Sequence, residues 1–235
     1  MVRPEGEKAG ENLMGLGHAD FMAIFDDWAP TYDETVFRAE PADGFEQYQE
    51  VLERVADLAG AGPGRQVLDV GTGTGNLARV LLTRGASVVA VEPSAAMRQQ
   101  ARSKLGDVPV LEGQFLDLPL PSGSVDAVVS SYAFHHLTDD AKVQGAREMF
   151  RVLRAGGVVV LGDVAWADGG ARQAMIQRFA AAGKADLVRE TKEEYYPTIG
   201  LLTSVFAAQG CSVYVEQATE WVWILVARKG RRASA

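Results

Sequence analysis

Three short runs hold residue types able to do chemistry. In Asp69-Val70-Gly71-Thr72-Gly73-Thr74-Gly75, three alternate glycines follow directly on an apolar run. Glycine permits positive φ and close backbone approach, and the free N–H groups at the start of a following helix attract an anion. A ligand is therefore implied. The dinucleotide fingerprint wants glycine at the first, third and sixth places. Here Asn76 stands sixth and the last glycine fifth, which disfavours a nicotinamide dinucleotide without excluding it. Glu92, 21 residues beyond Gly71, closes the next β-rich run, where a carboxylate can accept hydrogen bonds from both hydroxyls of a ribose. Phe134-His135-His136-Leu137 supplies two imidazoles, and imidazole titrates near neutrality, so His135 or His136 can take a proton from an O, N or S acceptor. Adjacent side chains point in different directions, so one histidine is expected in a site and the other in the structure. A transfer reaction can also run on positioning alone. No metal is expected: His18 is the only other histidine, and Asp139 and Asp140 read as solvated helix-start residues. Glu193-Glu194-Tyr195-Tyr196 can shape a pocket for a small polar or cationic acceptor, or can equally be the exposed end of an amphipathic helix.

These residues need elements to position them, and the chain alternates short β-rich runs with longer helical ones, the pattern of a parallel sheet covered by helices. GRQVLDVG reads as a first strand and NLARVLLTRG as its helix, closed by Gly85. ASVVAVEPS is a second strand, followed by a helix with Ser94 as N-cap. VPVLEGQF and VDAVVSSY read as the third and fourth strands. A helix then runs from His136 to the Gly156-Gly157 pair, and VVVLGDV is a buried fifth strand. Residues 169–210 are mainly helical with a break at Pro197. The final two strands, in CSVYVEQATEWVWILVARK, have so short a connection that they must be antiparallel. Upstream, Phe21, Phe25, Trp28, Ala29 and Tyr32 share one face if Asp20 to Asp33 is helical. Residues 1–17 read as a flexible tail, 18–229 as a single domain and 230–235 as a second tail.

Composition narrows the function. The 235 residues are 47% hydrophobic and 23% charged, which suits a globular fold with a sizeable core. A net charge of -8 argues against nucleic acid as a partner, and the basic cluster Arg228, Lys229, Arg231, Arg232 reads as solvated. The single cysteine, Cys211, excludes an internal disulfide and a cysteine-based zinc cage, and it reads as core. Without a signal-like start or a membrane-length apolar run, the expectation is a soluble cytoplasmic protein with no membrane partner.

Four motifs in order, DVGTGTG (69–75), VEPS (91–94), EGQFLDLPLPSGSVDAVVSS (112–131) and LRAGGVVVLGD (153–163), make residues 21–229 resemble the class I S-adenosylmethionine-dependent methyltransferases. The likeness is greatest to a small bacterial group that also carries an FDDWAPTYD-like entrance, an AFHHL and an EEYY segment. The resemblance implies a doubly wound, Rossmann-like α/β fold whose seven-stranded sheet has its last strand antiparallel. It implies S-adenosylmethionine as cofactor, S-adenosylhomocysteine as product and a small-molecule methyl acceptor. Carried over by residue, Gly71, Thr72 and Gly73 would lie against the methionine part, Asp69 would orient the ammonium through water and Glu92 would hold the ribose. Pro93 and Met97 would border the adenine. Family members usually place Asp where this chain has Gln114, which keeps an acceptor for the adenine amino group without the charge; Phe115 would offer its backbone N–H, and Ser131 would be among the cofactor-binding residues. Tyr32 would touch the cofactor carboxylate from an N-terminal lid. Trp28, Tyr195 and Tyr196 would border the acceptor. Two other readings compete: a nicotinamide-dependent oxidoreductase, against which the lack of a Tyr-x-x-x-Lys pair counts, and a non-catalytic cofactor-binding protein.

Overall fold

The computed structural model describes residues 18–38, 45 and 47–230. The tail expected at 1–17, and residues 231–235 of the second, lie outside them. Among the described residues seven strands form one sheet. Gln66–Val70 (β1), Ser87–Glu92 (β2), Val110–Glu112 (β3), Val125–Ser131 (β4) and Leu153–Val164 (β5) run parallel. Ser212–Gln217 (β6) and Val222–Arg228 (β7) form the terminal hairpin. The order is β3-β2-β1-β4-β5-β7-β6, with β7 antiparallel to both its neighbours. The order reverses between β1 and β4, and such a switch point opens a crevice at the carboxyl ends of the strands. The glycine run and the histidine pair leave the sheet on the two sides of this crevice.

Alternation along the strands feeds two apolar layers. Val67, Ala90, Val129 and Val160 meet the helices Tyr48–Leu58 (α1) and Asn76–Thr83 (α2), whereas Leu68, Val91, Val128 and Leu161 meet Asp139–Val152 (α3) and Ile199–Ala207 (α4). The first of these helices, which the sequence reading passed over, comes close because Gly162 on β5 has no side chain: a Cβ there would stand 2.7 Å from Cγ2 of Val55. Gly85 takes φ +83 after the helix it closes, and the Ser94 hydroxyl accepts from the Met97 amide at the start of Ala95–Leu105 (α5), as the turn chemistry requires.

Four expectations change. The aromatic segment is not one helix: it divides into His18–Trp28 (α6) and Tyr32–Phe37 (α7), because Pro30 disfavours the helical conformation at Ala29 and offers no N–H to continue the ladder. The third strand stops at Glu112, after which Gln114 bridges Asp117 across a tight turn. The helix read as far as Gly157 stops at Val152. Leu153 to Gly157 enter β5 beside a pairing irregularity at Val125/Ala127, where a Cβ on Gly157 would stand 3.0 Å from the Asp126 carbonyl oxygen. Lastly, Lys229 is no solvated tail residue. Its Nζ donates to the carbonyls of Phe150 (2.6 Å) and Leu153 (2.8 Å), satisfying the end of α3. The helices Gly169–Ala181 (α8) and Ala185–Glu193 (α9) complete the described chain, and none of its helices is long and apolar enough to cross a membrane.

Candidate active site

The crevice holds a cavity of about 290 Å³. Its floor is the glycine loop. Gly71 and Thr72 donate their amides to the Val91 carbonyl at 2.8 and 3.1 Å, which draws the loop against β2. Gly71, Gly73 and Gly75 all take positive φ. A Cβ on Gly73 would meet no protein atom within 4 Å, so this stretch of backbone faces open space. Asp69 lies beneath the loop, not on the cavity wall. One carboxylate oxygen accepts from the Thr72 hydroxyl at 2.6 Å, and the other is buried with no partner among the described residues. Burial pushes its pKa up to about 7, with the nearby Glu92 adding to the rise against the Thr72 hydrogen bond.

Glu92 lines the wall and is buried, and burial raises its pKa. Its Oε2 accepts from the Gly73 amide and its Oε1 from the Ser94 amide, both at 2.9 Å. Each oxygen keeps a second lone pair. The carboxylate therefore orders the loop as well as facing the cavity. Glu92→Ala is expected to weaken S-adenosylhomocysteine binding by about 1 to 3 kcal/mol and to destabilise the fold by a similar amount, because it strands two amide donors. Calorimetric titration beside a denaturant melt measures both, and an unchanged melt would show that the carboxylate serves the ligand alone.

Pro93, Met97, Gln114, Phe115 and Ser131 also line the cavity, with Phe115 in edge contact with Phe134 (5.3 Å between ring centroids). The roof comes from the two N-terminal helices: Met22, Phe25, Trp28 and Tyr32 face inward, with Trp28 and Tyr32 edge to face at 4.8 Å. Two carboxylates hold this roof down. Asp26 accepts from the Ser94 hydroxyl (2.5 Å) and the Ala96 amide (3.1 Å), at the positive end of α5. Asp33 accepts from Thr74 (2.6 Å), Asn76 (3.0 Å) and Lys104 (2.6 Å). Burial would raise Asp33, but these partners hold it below its ordinary value. Asn76, which breaks the dinucleotide fingerprint, is thus one of the three residues that hold Asp33 of the lid.

At the other end the histidines separate. His136 lines the cavity, its Nδ1 3.2 Å from Glu194 Oε2 and its ring edge-on to Phe25 at 5.2 Å. His135 is fully buried and does not reach the wall: Asp163 binds both its Nδ1 (2.6 Å) and its amide (3.0 Å), and burial lowers its pKa. The tyrosines expected at the acceptor also stay off the wall. Tyr196 is buried against His135 and donates to Glu190 at 2.9 Å, while Tyr195 presents its carbonyl to Lys142 at 2.8 Å. Sequence reasoning missed Tyr48 and Tyr132, whose rings lie 5.2 Å apart and which both line the cavity. Tyr132 takes φ +52, a strained conformation for an aromatic residue. No local signal marks either one. The acids of FDDWAPTYD were in view, but only their aromatic neighbours carried a recognisable pattern.

A methyltransferase-domain model matches residues 68–161. The chain is similar to an uncharacterized methyltransferase of Geobacillus thermodenitrificans, 39% identical over 213 residues that span 89% of this chain and 97% of the relative. It is likewise similar to the uncharacterized methyltransferase YrrT of Bacillus subtilis, 36% identical over 89% of this chain and 98% of that one. This chain belongs to the class I S-adenosylmethionine-dependent methyltransferases. The nicotinamide-dependent oxidoreductase and the non-catalytic binder are thereby set aside. Solved structures share the methyltransferase's fold at low identity. A possible histamine N-methyltransferase from Thermotoga maritima has a TM-score of 0.64 at 19% identity, covering 89% of this chain and 99% of that chain. The [4+2]-cyclase SpnF has 0.69 at 16%, covering 90% and 95%. Likeness at that level speaks for the fold alone, and a cyclase among the neighbours shows why.

The methyltransferase's cofactor is S-adenosylmethionine, and the residues present fit it. The open face of Gly73 offers room for an approaching ligand, and the orphaned oxygen of Asp69 is an acceptor without a donor.

Proposed function

We propose that this methyltransferase acts on a small-molecule acceptor that sits between the aromatic lid and His136. The observation that carries this reading is the lid itself. Asp26 and Asp33 tie it to the starts of two helices that flank the cavity, and a roofed cavity admits a small molecule more readily than a nucleic-acid base or a side chain still attached to its polymer. The net charge of -8 points the same way.

In this reading Gly71, Gly73, Glu92, Gln114 and Phe115 hold the cofactor, with Pro93 and Met97 against its adenine, Tyr32 and Thr72 near its amino-acid end and Ser131 at its edge. Asp69, beneath the loop, supports it through Thr72 and reaches the ammonium only through water. Bound S-adenosylmethionine supplies an electrophilic methyl group on a sulfonium. His136 takes the acceptor's proton, and Glu194 beside Nδ1 steadies the imidazolium that forms. His135 and Asp163 fix the turn that presents His136, and Trp28 closes the acceptor side. Incubation with methyl-labelled S-adenosylmethionine and a fractionated cell extract tests the reading: label is expected in the small-molecule fraction. Label confined to protein or nucleic acid would overturn it.

A further inference from the structure

We infer that His135, His136 and Glu194 form a binding site for a divalent transition-metal ion at the acceptor end of the cavity. Among the described residues these three bring one donor atom each within 4.8 Å of one another. The sequence, lacking a third histidine nearby, pointed to no metal; the fold supplies the third donor from 58 residues away. The side chains of His135, His136 and Glu194 are 0%, 10% and 8% exposed, so this is no surface cluster of acids.

The donors are prepared for an ion. Asp163 accepts at His135 Nδ1 over 2.6 Å, which places the proton on Nδ1 and leaves Nε2 as a bare lone pair; that Nε2 is buried with no partner among the described residues. A carboxylate that holds the far nitrogen of a histidine in this way is the usual support of a metal-binding imidazole. A tetrahedral ion with bonds of about 2.0 Å sets its ligands roughly 3.3 Å apart, and His136 Nδ1 and Glu194 Oε2 stand 3.2 Å apart already. Lys142 keeps the two ligand-bearing segments together. It is fully buried, and its Nζ donates to the carbonyls of Leu137 and Tyr195, joining the histidine turn to the segment that carries Glu194.

Two imidazoles and one carboxylate suit zinc, cobalt, iron or nickel, not calcium or magnesium, which prefer oxygen ligands alone. Three protein ligands leave a coordination position open. Because His136 lines the cavity, that position would meet the acceptor, and an ion there would favour the deprotonated form of a thiol, hydroxyl or amine. With the ion bound, His136 and Glu194 are ligands and the ion takes over the activating part given to the imidazole above; only that part rests on the acceptor reading, and the ion site rests on the donor geometry.

The test uses the full chain, stripped with a chelator and titrated with cobalt(II) chloride while its visible d–d absorption is followed. One cobalt per chain is expected. Glu194→Gln and His136→Gln should each abolish the bands, and Asp163→Asn should weaken binding by about 10- to 100-fold. S-adenosylhomocysteine titration of each variant checks that it is folded, and Glu194→Gln, at the edge of the cluster, keeps the test decisive if Asp163→Asn does not fold. Absence of a cobalt signal in folded protein, or uptake unchanged by Glu194→Gln, would overturn the site. If methyl transfer then still depends on His136, the proton-acceptor reading stands without the metal.

Discussion

Replacing His136 by Gln is expected to slow methyl transfer by roughly 100-fold or more, with S-adenosylhomocysteine affinity nearly intact, since proton transfer to a positioned side chain contributes that much. The direction follows from placement. His136 is the histidine on the cavity wall, and its ring meets Glu194 and Phe25. His135→Gln should act differently. It removes the imidazole that meets the buried Asp163, leaving only the backbone amide contact, and the Asp163 carboxyl stays below its ordinary value, despite burial that would raise it, chiefly through that neighbouring ring. Loss of stability is expected there first. The resemblance put Tyr196 at the acceptor, where Tyr196→Phe would raise the acceptor Michaelis constant. Tyr196 instead donates to Glu190 away from the wall, so a lower melting temperature at an unchanged constant is the expected result. Single-turnover rates at saturating acceptor separate these cases, and a normal rate in His136→Gln would remove the imidazole from the chemistry.

Gly71→Ala is expected to destabilise the protein by about 2 to 5 kcal/mol and to abolish measurable cofactor binding. Two effects combine. At φ +69 an L side chain is strained, and the new Cβ would stand 2.7 Å from Cβ of Ala133, where β1 and β4 diverge. Both atoms lie close to the backbone, so relief requires the loop or the turn before His135 to shift. Gly73→Ala offers the contrast. Its φ is +56, but the added methyl meets no protein atom within 4 Å, so the fold should lose only about 1 to 2 kcal/mol for the left-handed conformation. The methyl would occupy cavity space, and S-adenosylhomocysteine binding should fall even so. Urea midpoints and calorimetric titrations of the two variants check this, and equal destabilisation by both would show that contact with Ala133 is not what excludes a side chain at Gly71.

What the sequence determined by itself was local. The strand-turn-helix at 66–83, the cap at Ser94, the turn at Gly85 and the terminal hairpin follow from backbone dihedrals, from hydrogen bonds spanning about three residues and from alternation along a strand. The order of such units was enough to recognise the sheet and the cofactor. Tertiary structure decided the rest, because the deciding contacts join residues far apart in the chain. Asp26 reaches Ala96 across 70 residues, and Asp33 reaches Asn76 across 43. Glu194 meets His136 across 58, and Lys142 meets Tyr195 across 53. Nothing in the local spacing of a histidine pair states which ring turns to the cavity; that depends on Asp163 at the end of β5 taking hold of His135. Nor does a broken fingerprint state why Asn76 stands where glycine was expected. A lid carboxylate needed a donor there, and only packing brings the two together.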